Sequence, residues 1–301
     1  MPRLQDKVAI VTGSGIGIGR EVALALAREG ARVVTNNRKP GSEGGDAQTT
    51  ADAIIKMGGR AAPFFGDVSD FETARRFVET AVKTFGRVDI LVNNAGGYDE
   101  HAMPWEMTEK GFDDTIRVHV KSAFNCIRHA CGLMKDQRWG RIINTTSRAW
   151  LGAIEWSNYS AAKGALVSYT RAVARDIGRY GVTCNAYAPR AATGRSGPVE
   201  VARFKRAYEA GLASKRMYES ILNLAGPEAM APIVVYLATE EAGNINGQVF
   251  GIMGTEVCLF TEPVEKETII RKEGVWTLDE LVEMVPKVLL KGYVNPAPPQ
   301  P

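Results

Sequence analysis

The short apolar run Lys7 to Thr12 (KVAIVT) empties directly into Gly13-Ser14-Gly15-Ile16-Gly17-Ile18-Gly19, and Arg20 to Glu29 then carries alanine and leucine at helical spacing before stopping at Gly30. This order predicts a buried strand, a glycine turn and a helix. The glycines let backbone N–H groups approach a diphosphate, and the helix N-terminus adds a favourable partial charge, so the unit predicts a dinucleotide site. A tight strand-to-helix turn with no ligand is the alternative reading of the same residues.

The same rhythm continues. Ala31 to Asn36 reads as a second strand, followed by Asn37-Arg38-Lys39-Pro40 and the polar, glycine-rich Gly41 to Asp46. At the end of such a strand an acidic residue would bind ribose hydroxyls and repel a 2′-phosphate, whereas Arg38 and Lys39 would attract one. NADP(H) is therefore expected, with NAD(H) as the alternative; a plain solvated turn would have the same residues. Thr49 to Met57 reads as a helix, Ala61 to Phe65 as a third strand closing at Gly66-Asp67-Val68, and Ser69 with Glu72 as a capping box for a helix over Phe71 to Phe85. Val88 to Val92 is a fourth strand running into Asn93-Asn94-Ala95-Gly96-Gly97. One long helix is expected over Phe112 to Met134, a fifth strand over Gly140 to Ser147, a helix over Tyr159 to Tyr180, and a sixth strand over Val182 to Ala188. Thr193 to Leu224 shows little hydrophobic order and reads as a lid. A helix over Pro227 to Thr239 and a seventh strand over Gln248 to Met253 complete the alternation. Such an order predicts a parallel, doubly wound α/β sheet with its ligand crevice beyond the carboxyl ends of the strands.

Tyr159 and Lys163 stand four apart, so one helical turn puts both side chains on the same face. A phenol is a poor acid or base at neutral pH, with an unperturbed pKa of about 10, and a nearby ammonium lowers that value. The pair is a candidate proton-transfer device, although the spacing also occurs on ordinary solvated helix faces.

Composition narrows the function classes. With 37 basic and 34 acidic residues, the net charge of +3 is too balanced to argue for nucleic acid or an anionic membrane surface. No apolar run reaches bilayer length. Cys126, Cys131, Cys184 and Cys258 have no C-x-x-C spacing, and the start lacks an apolar h-region, so free thiols in a reducing cytoplasm are expected. His101, His119 and His129 lack metal-ligand spacing, and no metal site is expected.

Taken in order, Thr12-Gly13-x-x-x-Gly17-x-Gly19, Asn93-Asn94-Ala95-Gly96, a serine on the strand before the tyrosine, and Tyr159-x-x-x-Lys163 resemble the short-chain dehydrogenase/reductase family over about residues 5 to 255. Arg117-Val118-His119-Val120, Cys184 to Pro189 and Gly247 to Phe250 look like the dehydrogenase part of the peroxisomal multifunctional enzymes that oxidise (3R)-hydroxyacyl-CoA. The resemblance implies a single Rossmann-type doubly wound domain over 1–255 with a mostly seven-stranded parallel sheet, a C-terminal extension over 256–301, and a homodimer or homotetramer. It makes Tyr159 the acid/base, Lys163 its pKa-lowering neighbour and a ligand of the nicotinamide ribose, and Ser147 the hydrogen-bond donor to the substrate oxygen. Gly13, Ser14, Gly17, Ile18 and Gly19 would form the diphosphate loop, and Asn37 and Arg38 would meet the adenosine ribose. Asp67 and Val68 would meet the adenine, with Asn94, Ala95 and Gly96 bordering the adenosine ribose and Pro189 and Thr193 at the nicotinamide carboxamide.

Three positions depart from the family pattern. Ser147 lies twelve residues before Tyr159 where thirteen is common, which leaves Thr146 as the alternative hydroxyl. His119 stands where an asparagine usually supports the lysine through water; a histidine can do the same, or serve as a buried structural residue. Arg190 follows Pro189 where glycine is usual, as a cation at the pocket rim or as part of a loop.

Past the family pattern, Glu256 to Thr261 and Glu267 to Arg271 are expected to pair as extra strands, and Thr277 with Glu280 reads as a capping box opening an amphipathic helix through Leu290. The lid carries Arg195, Arg203, Lys205, Arg206, Lys215 and Arg216 against Glu200 and Glu209, a cluster able to meet the phosphates of coenzyme A or to serve as a solvated face. The expected function is a nicotinamide-dependent oxidoreductase acting on a small-molecule ketone or secondary alcohol, with a hydroxyacyl thioester among the candidates. A nucleotide-sensing module on the same fold, and a lyase or epimerase variant using the same tyrosine, are the alternatives.

Overall fold

Strand β1 (Val8–Val11) is buried at every position, as a β-branched run covered on both faces of a parallel sheet must be. It is the pivot of the sheet, pairing on one side with β2 (Arg32–Asn37) and on the other with β4 (Ile90–Asn93). The computed structural model describes residues 2–97, 100–192, 198–211, 215–222 and 224–295. Among these, β3 (Ala61–Phe65), β5 (Gly140–Thr145), β6 (Val182–Arg190), β7 (Val249–Met253) and β8 (Glu256–Leu259) complete one sheet of eight strands, in the order β3-β2-β1-β4-β5-β6-β7-β8. The first seven strands are parallel, as predicted; β8 adds an antiparallel edge. The direction of winding reverses between β1 and β4, and a crevice at such a switch point is where ligands bind in open α/β sheets.

Alternation along β1 sends its side chains to opposite faces. Ala9 and Val11 join Val33, Ile90 and Val92 in a core under α1 (Gly17–Arg28), α2 (Ala47–Lys56) and α9 (Ala231–Ala238). Val8 and Ile10 join Val34, Leu91 and Ile142 in a second core under α3 (Phe71–Phe85), the helix over Ser122–Gln137, and α6 (Ser157–Ile177).

The structure corrects several expectations. Phe112 to Met134 is not one helix but part of α4 (Glu109–Ile116), a π turn (Arg117–Lys121) and α5 (Ser122–Gln137); apolar periodicity does not register a single inserted residue. Helix α3 is capped by Asp70, whose carboxylate accepts from Thr73 N at 2.8 Å, rather than by a Ser69–Glu72 box. Ser69 instead donates to Asp67 at 2.7 Å, and Glu72 pairs with Arg75. The expected lid contains α7 (Pro198–Glu209) and α8 (Lys215–Leu222), which meet through the stacked rings of Tyr208 and Tyr218. Pro227–Met230 forms a 3-10 turn ahead of α9. Strand β8 pairs with β7 and not with Glu267 to Arg271, which forms no strand. The sheet-bearing unit accordingly runs through Phe260, and a second unit starts at Thr261. Within that second unit the Thr277–Glu280 capping box opens α10 (Leu278–Met284), and Arg271 pairs with Glu280 at 3.1 Å.

Helix α6 is tied to the sheet by buried amides. Asn93 at the end of β4 donates to Asn144 Oδ1 at 2.8 Å, and Asn144 on β5 donates to Thr170 Oγ1 on α6 at 2.9 Å. Asn144→Ala strips the Asn93 amide of its buried acceptor, and an unsatisfied buried donor costs about 1–3 kcal/mol. A loss of about 2–3 kcal/mol in urea denaturation, with an unchanged m-value, is expected.

Candidate active site

The turn after β1 needs glycine at particular positions. Gly13 and Gly17 lie at φ +62° and +58°, and a Cβ on Gly19 would stand 2.4 Å from both Gly13 O and Asn94 Nδ2. Asn94, the first residue past β4, donates through Nδ2 to Thr12 O and Gly13 O at 3.1 Å each. The N–H groups of Asn94 and Ala95 both reach Thr12 Oγ1, at 2.9 and 2.8 Å. The two loops at the switch point are thus laced together. Helix α1 begins at Gly17 with no side-chain cap from Ile16 and no acidic residue in its first turn, which leaves its leading N–H groups available to an anion. Open glycine backbone and an uncapped helix start fit a dinucleotide diphosphate. Ser14 is buried and serves the frame, donating to Val11 O and accepting from Asn36 N at 2.9 Å each; Ile18 packs on the core under α1.

Asn36 did not stand out in the sequence, yet from β2 it joins two loops. Its Oδ1 accepts from Gly13 N at 3.2 Å while its Nδ2 donates to Gly66 O at 3.1 Å. Only its place at a strand end beside the glycine loop could have signalled this. Asn37 lies so close to Gly15 that a Cβ there would stand 2.1 Å from Asn37 Oδ1, while Arg38 and Lys39 are exposed. Asp46 closes the following loop, accepting from Thr49 N at 2.9 Å and Gly41 N at 2.8 Å. These bonds, the one from Thr49 foremost, hold its carboxyl below the usual range.

Asp67 sits past β3 and Val68 beside it is buried. Burial alone would raise the Asp67 carboxyl, but the Ser69 hydroxyl and N–H together with Arg117 outweigh it and keep the group below its ordinary value.

At the other end of the crevice, Lys163 is buried and donates through Nζ to Thr145 O at 2.7 Å, with the ammonium 5.4 Å from the centre of the Tyr159 ring. His119, on the π turn, meets that ring edge-on at 5.3 Å. It occupies the space a side chain at 96 would need: a Cβ on Gly96 would lie 2.8 Å from His119 Cε1. Thr146 is buried and donates to Lys163 O at 2.8 Å. Ser147 is half-buried, with Oγ accepting from Ala149 N at 3.2 Å, so its own proton is left to donate.

Trp156 was not foreseen either. Its ring lies 4.6 Å from the Tyr159 ring and is stacked by His101 at 4.4 Å. The loop bearing His101 is fixed by a bridge between Ala102 and Trp156 and by Asn158 Nδ2, which donates to Glu100 O at 3.1 Å. An aromatic residue three positions before Tyr159 was the available signal. Pro189 ends up on β6, and the next residue, Arg190, places its guanidinium 5.4 Å from the Phe204 ring of α7. Thr193 and Arg195 lie outside the described residues, as do the side chains of Glu200, Arg203 and Arg216.

Glycine loop, laced switch point and a tyrosine–lysine pair on one crevice edge are the attributes of a nucleotide-dependent oxidoreductase site. Residues 7–196 match the short chain dehydrogenase family model, and the chain belongs to that family. It is 33% identical over 251 residues to the (2S)-[(R)-hydroxy(phenyl)methyl]succinyl-CoA dehydrogenase subunit of Thauera aromatica, covering 83% of this chain and 96% of the relative. Identity to a hydroxyacyl-CoA dehydrogenase of Mycobacterium tuberculosis is 35% over 288 residues, 92% of this chain and 87% of the relative. The yeast peroxisomal hydratase-dehydrogenase-epimerase is 36% identical over 258 residues, and only 26% of its length is matched. A solved short chain dehydrogenase from Mycobacterium avium superposes with a TM-score of 0.79 at 36% identity, covering 99% of this chain and 98% of that one.

Gly19→Ala tests the laced loops. The added methyl must displace Asn94 or Gly13, and weakening of dinucleotide binding by about 100-fold, roughly 2.7 kcal/mol, is expected by calorimetry.

Proposed function

We propose that this dehydrogenase uses NADP(H) to interconvert a ketone and a secondary alcohol, with Tyr159 as the acid/base. The reading rests on one observation above the others: a buried Lys163 ammonium lies 5.4 Å from the Tyr159 ring, on the same crevice edge as Ser147. When bound, the nicotinamide exchanges the hydride with the carbonyl carbon. Tyr159 exchanges the proton with the substrate oxygen, and the ammonium beside it favours the phenolate. Ser147 donates to the same oxygen and orients it. Its hydroxyl suits this role better than that of Thr146, whose proton goes to the Lys163 carbonyl. Trp156 shields the phenol ring from water on one side. A sensor module would need none of this constellation, which weighs against that alternative.

Gly13, Gly17, Gly19 and the start of α1 would hold the diphosphate, and Asp67, Asn94 and Lys163 would meet the two nucleosides. NADP(H) is favoured over NAD(H) because Arg38 and Lys39 are exposed after β2, while the nearby Asp46 carboxylate is occupied by Thr49 and Gly41. A 3-hydroxyacyl thioester is the favoured substrate class: two relatives are named as dehydrogenases of CoA thioesters. Assembly as a homodimer or homotetramer goes with the family.

Tyr159→Phe is expected to lower kcat by about 10³-fold while cofactor binding, read by nicotinamide fluorescence, persists. Loss of binding together with turnover, or turnover that persists, would count against the assignment. Ser147→Ala is expected to cost about 10²-fold in kcat, whereas Thr146→Val should act on stability. Arg38→Ala should raise the KM for NADPH about tenfold relative to that for NADH, and a wild-type preference for NADH would overturn the cofactor choice.

A further inference from the structure

The chain from α4 through the π turn into α5 touches both ends of the crevice. Arg117 opens the π turn and donates through Nη1 to Ser69 Oγ at 2.6 Å and to Asp67 Oδ2 at 3.2 Å. Its other edge is held by Asp114, with Nε and Nη2 at 3.3 and 3.2 Å from Oδ1. Asn125 on α5 donates to the carbonyls of Val68 and Ser69, at 3.1 and 2.9 Å. Two residues past Arg117, His119 fills the space over Gly96 and abuts the Tyr159 ring. The Ser122 N–H returns to Arg117 O, so one hydrogen-bonded ring of backbone carries both Arg117 and His119. π turns concentrate at functional sites because they give up regular geometry to place side chains.

The side chains of Arg117 and Asp67 are 45% and 40% exposed, and an ion pair so open to water is worth little. A ring laid against it would displace solvent and strengthen it, since charge interactions grow as the local dielectric falls. We propose that Arg117 is a positioning residue through which occupancy of the adenosine end orders the π turn and sets His119 against Tyr159. This rests on the reading that Asp67 lies at the adenine. The chain would thereby use binding energy at a remote part of the cofactor to prepare the catalytic end.

Adenosine-half fragments test it without turnover. Hydrogen exchange of the backbone amides from 118 to 122 would be followed with saturating 2′,5′-ADP and, separately, 5′-ADP, with binding measured in parallel by calorimetry. In the wild type these amides should exchange about threefold or more slowly with fragment bound; Arg117→Gln should abolish the slowing, and Arg117→Lys should restore part of it. With intact NADPH, Arg117→Gln should lower kcat more than it weakens cofactor binding. A bound fragment that leaves these amides unchanged in the wild type, or an equal response in Arg117→Gln, overturns the coupling while the cofactor reading stands. A higher Kd with kcat intact would reduce Arg117 to a local brace of the Asp67 loop and likewise overturn it. If neither fragment binds, the cofactor reading falls and the coupling falls with it.

Discussion

The nucleotide side of the crevice depends on the hydrogen bonds that join Thr12 and Gly13 to Asn94 and Ala95. At the switch point two neighbouring strands send their chains to opposite faces of the sheet, and loops diverging there have unpaired backbone groups facing each other. One amide side chain and one hydroxyl pair those groups internally. The close approach this requires excludes a Cβ at Gly19, so the glycine run is as much a consequence of packing between the two loops as of ligand access. Asn36 extends the lacing to β2 and β3, and the ends of four strands share one polar frame.

The end of the crevice around Lys163 is made in a different way. Lys163 is buried, and an ammonium out of water needs compensating dipoles. It has one in the Thr145 carbonyl, offered by the strand on which the candidate hydroxyl follows. Thr146 then fastens the backbone of Lys163 by donating to its carbonyl. The strand–helix pair of β5 and α6 therefore positions its own chemistry through local bonds, and the Asn93–Asn144–Thr170 chain keeps the pair in register with the neighbouring strand.

Most of the strands and the main motifs were legible because a parallel sheet buried on both faces writes itself as short β-branched runs between helical periods. Tyr159, Lys163 and the glycine turn stood out for their chemistry. What stayed hidden depends on neighbours distant in the chain. A π turn is one residue of surplus helix, invisible to apolar spacing. The competition between Ser69 and Asp70 for the α3 cap was decided by Asp67 and Arg117, which draw Ser69 away. Asn36 and Trp156 carry no motif of their own; their roles come from which loops the topology brings together. The antiparallel pairing of β8 with β7 likewise follows from the two-residue turn at Gly254, a local signal in a stretch whose strands were expected to pair elsewhere.

The contact between Gly96 and His119 has an implication for how such a chain can change over time. The imidazole occupies the volume that any side chain at 96 would claim, so the two positions cannot drift independently. While a histidine stands at 119, a side chain at 96 forces the imidazole to shift, and a smaller residue at 119 would remove that demand. The identity of a residue in the nucleotide-side loop is in this way inherited together with that of a residue in the helix behind the phenol.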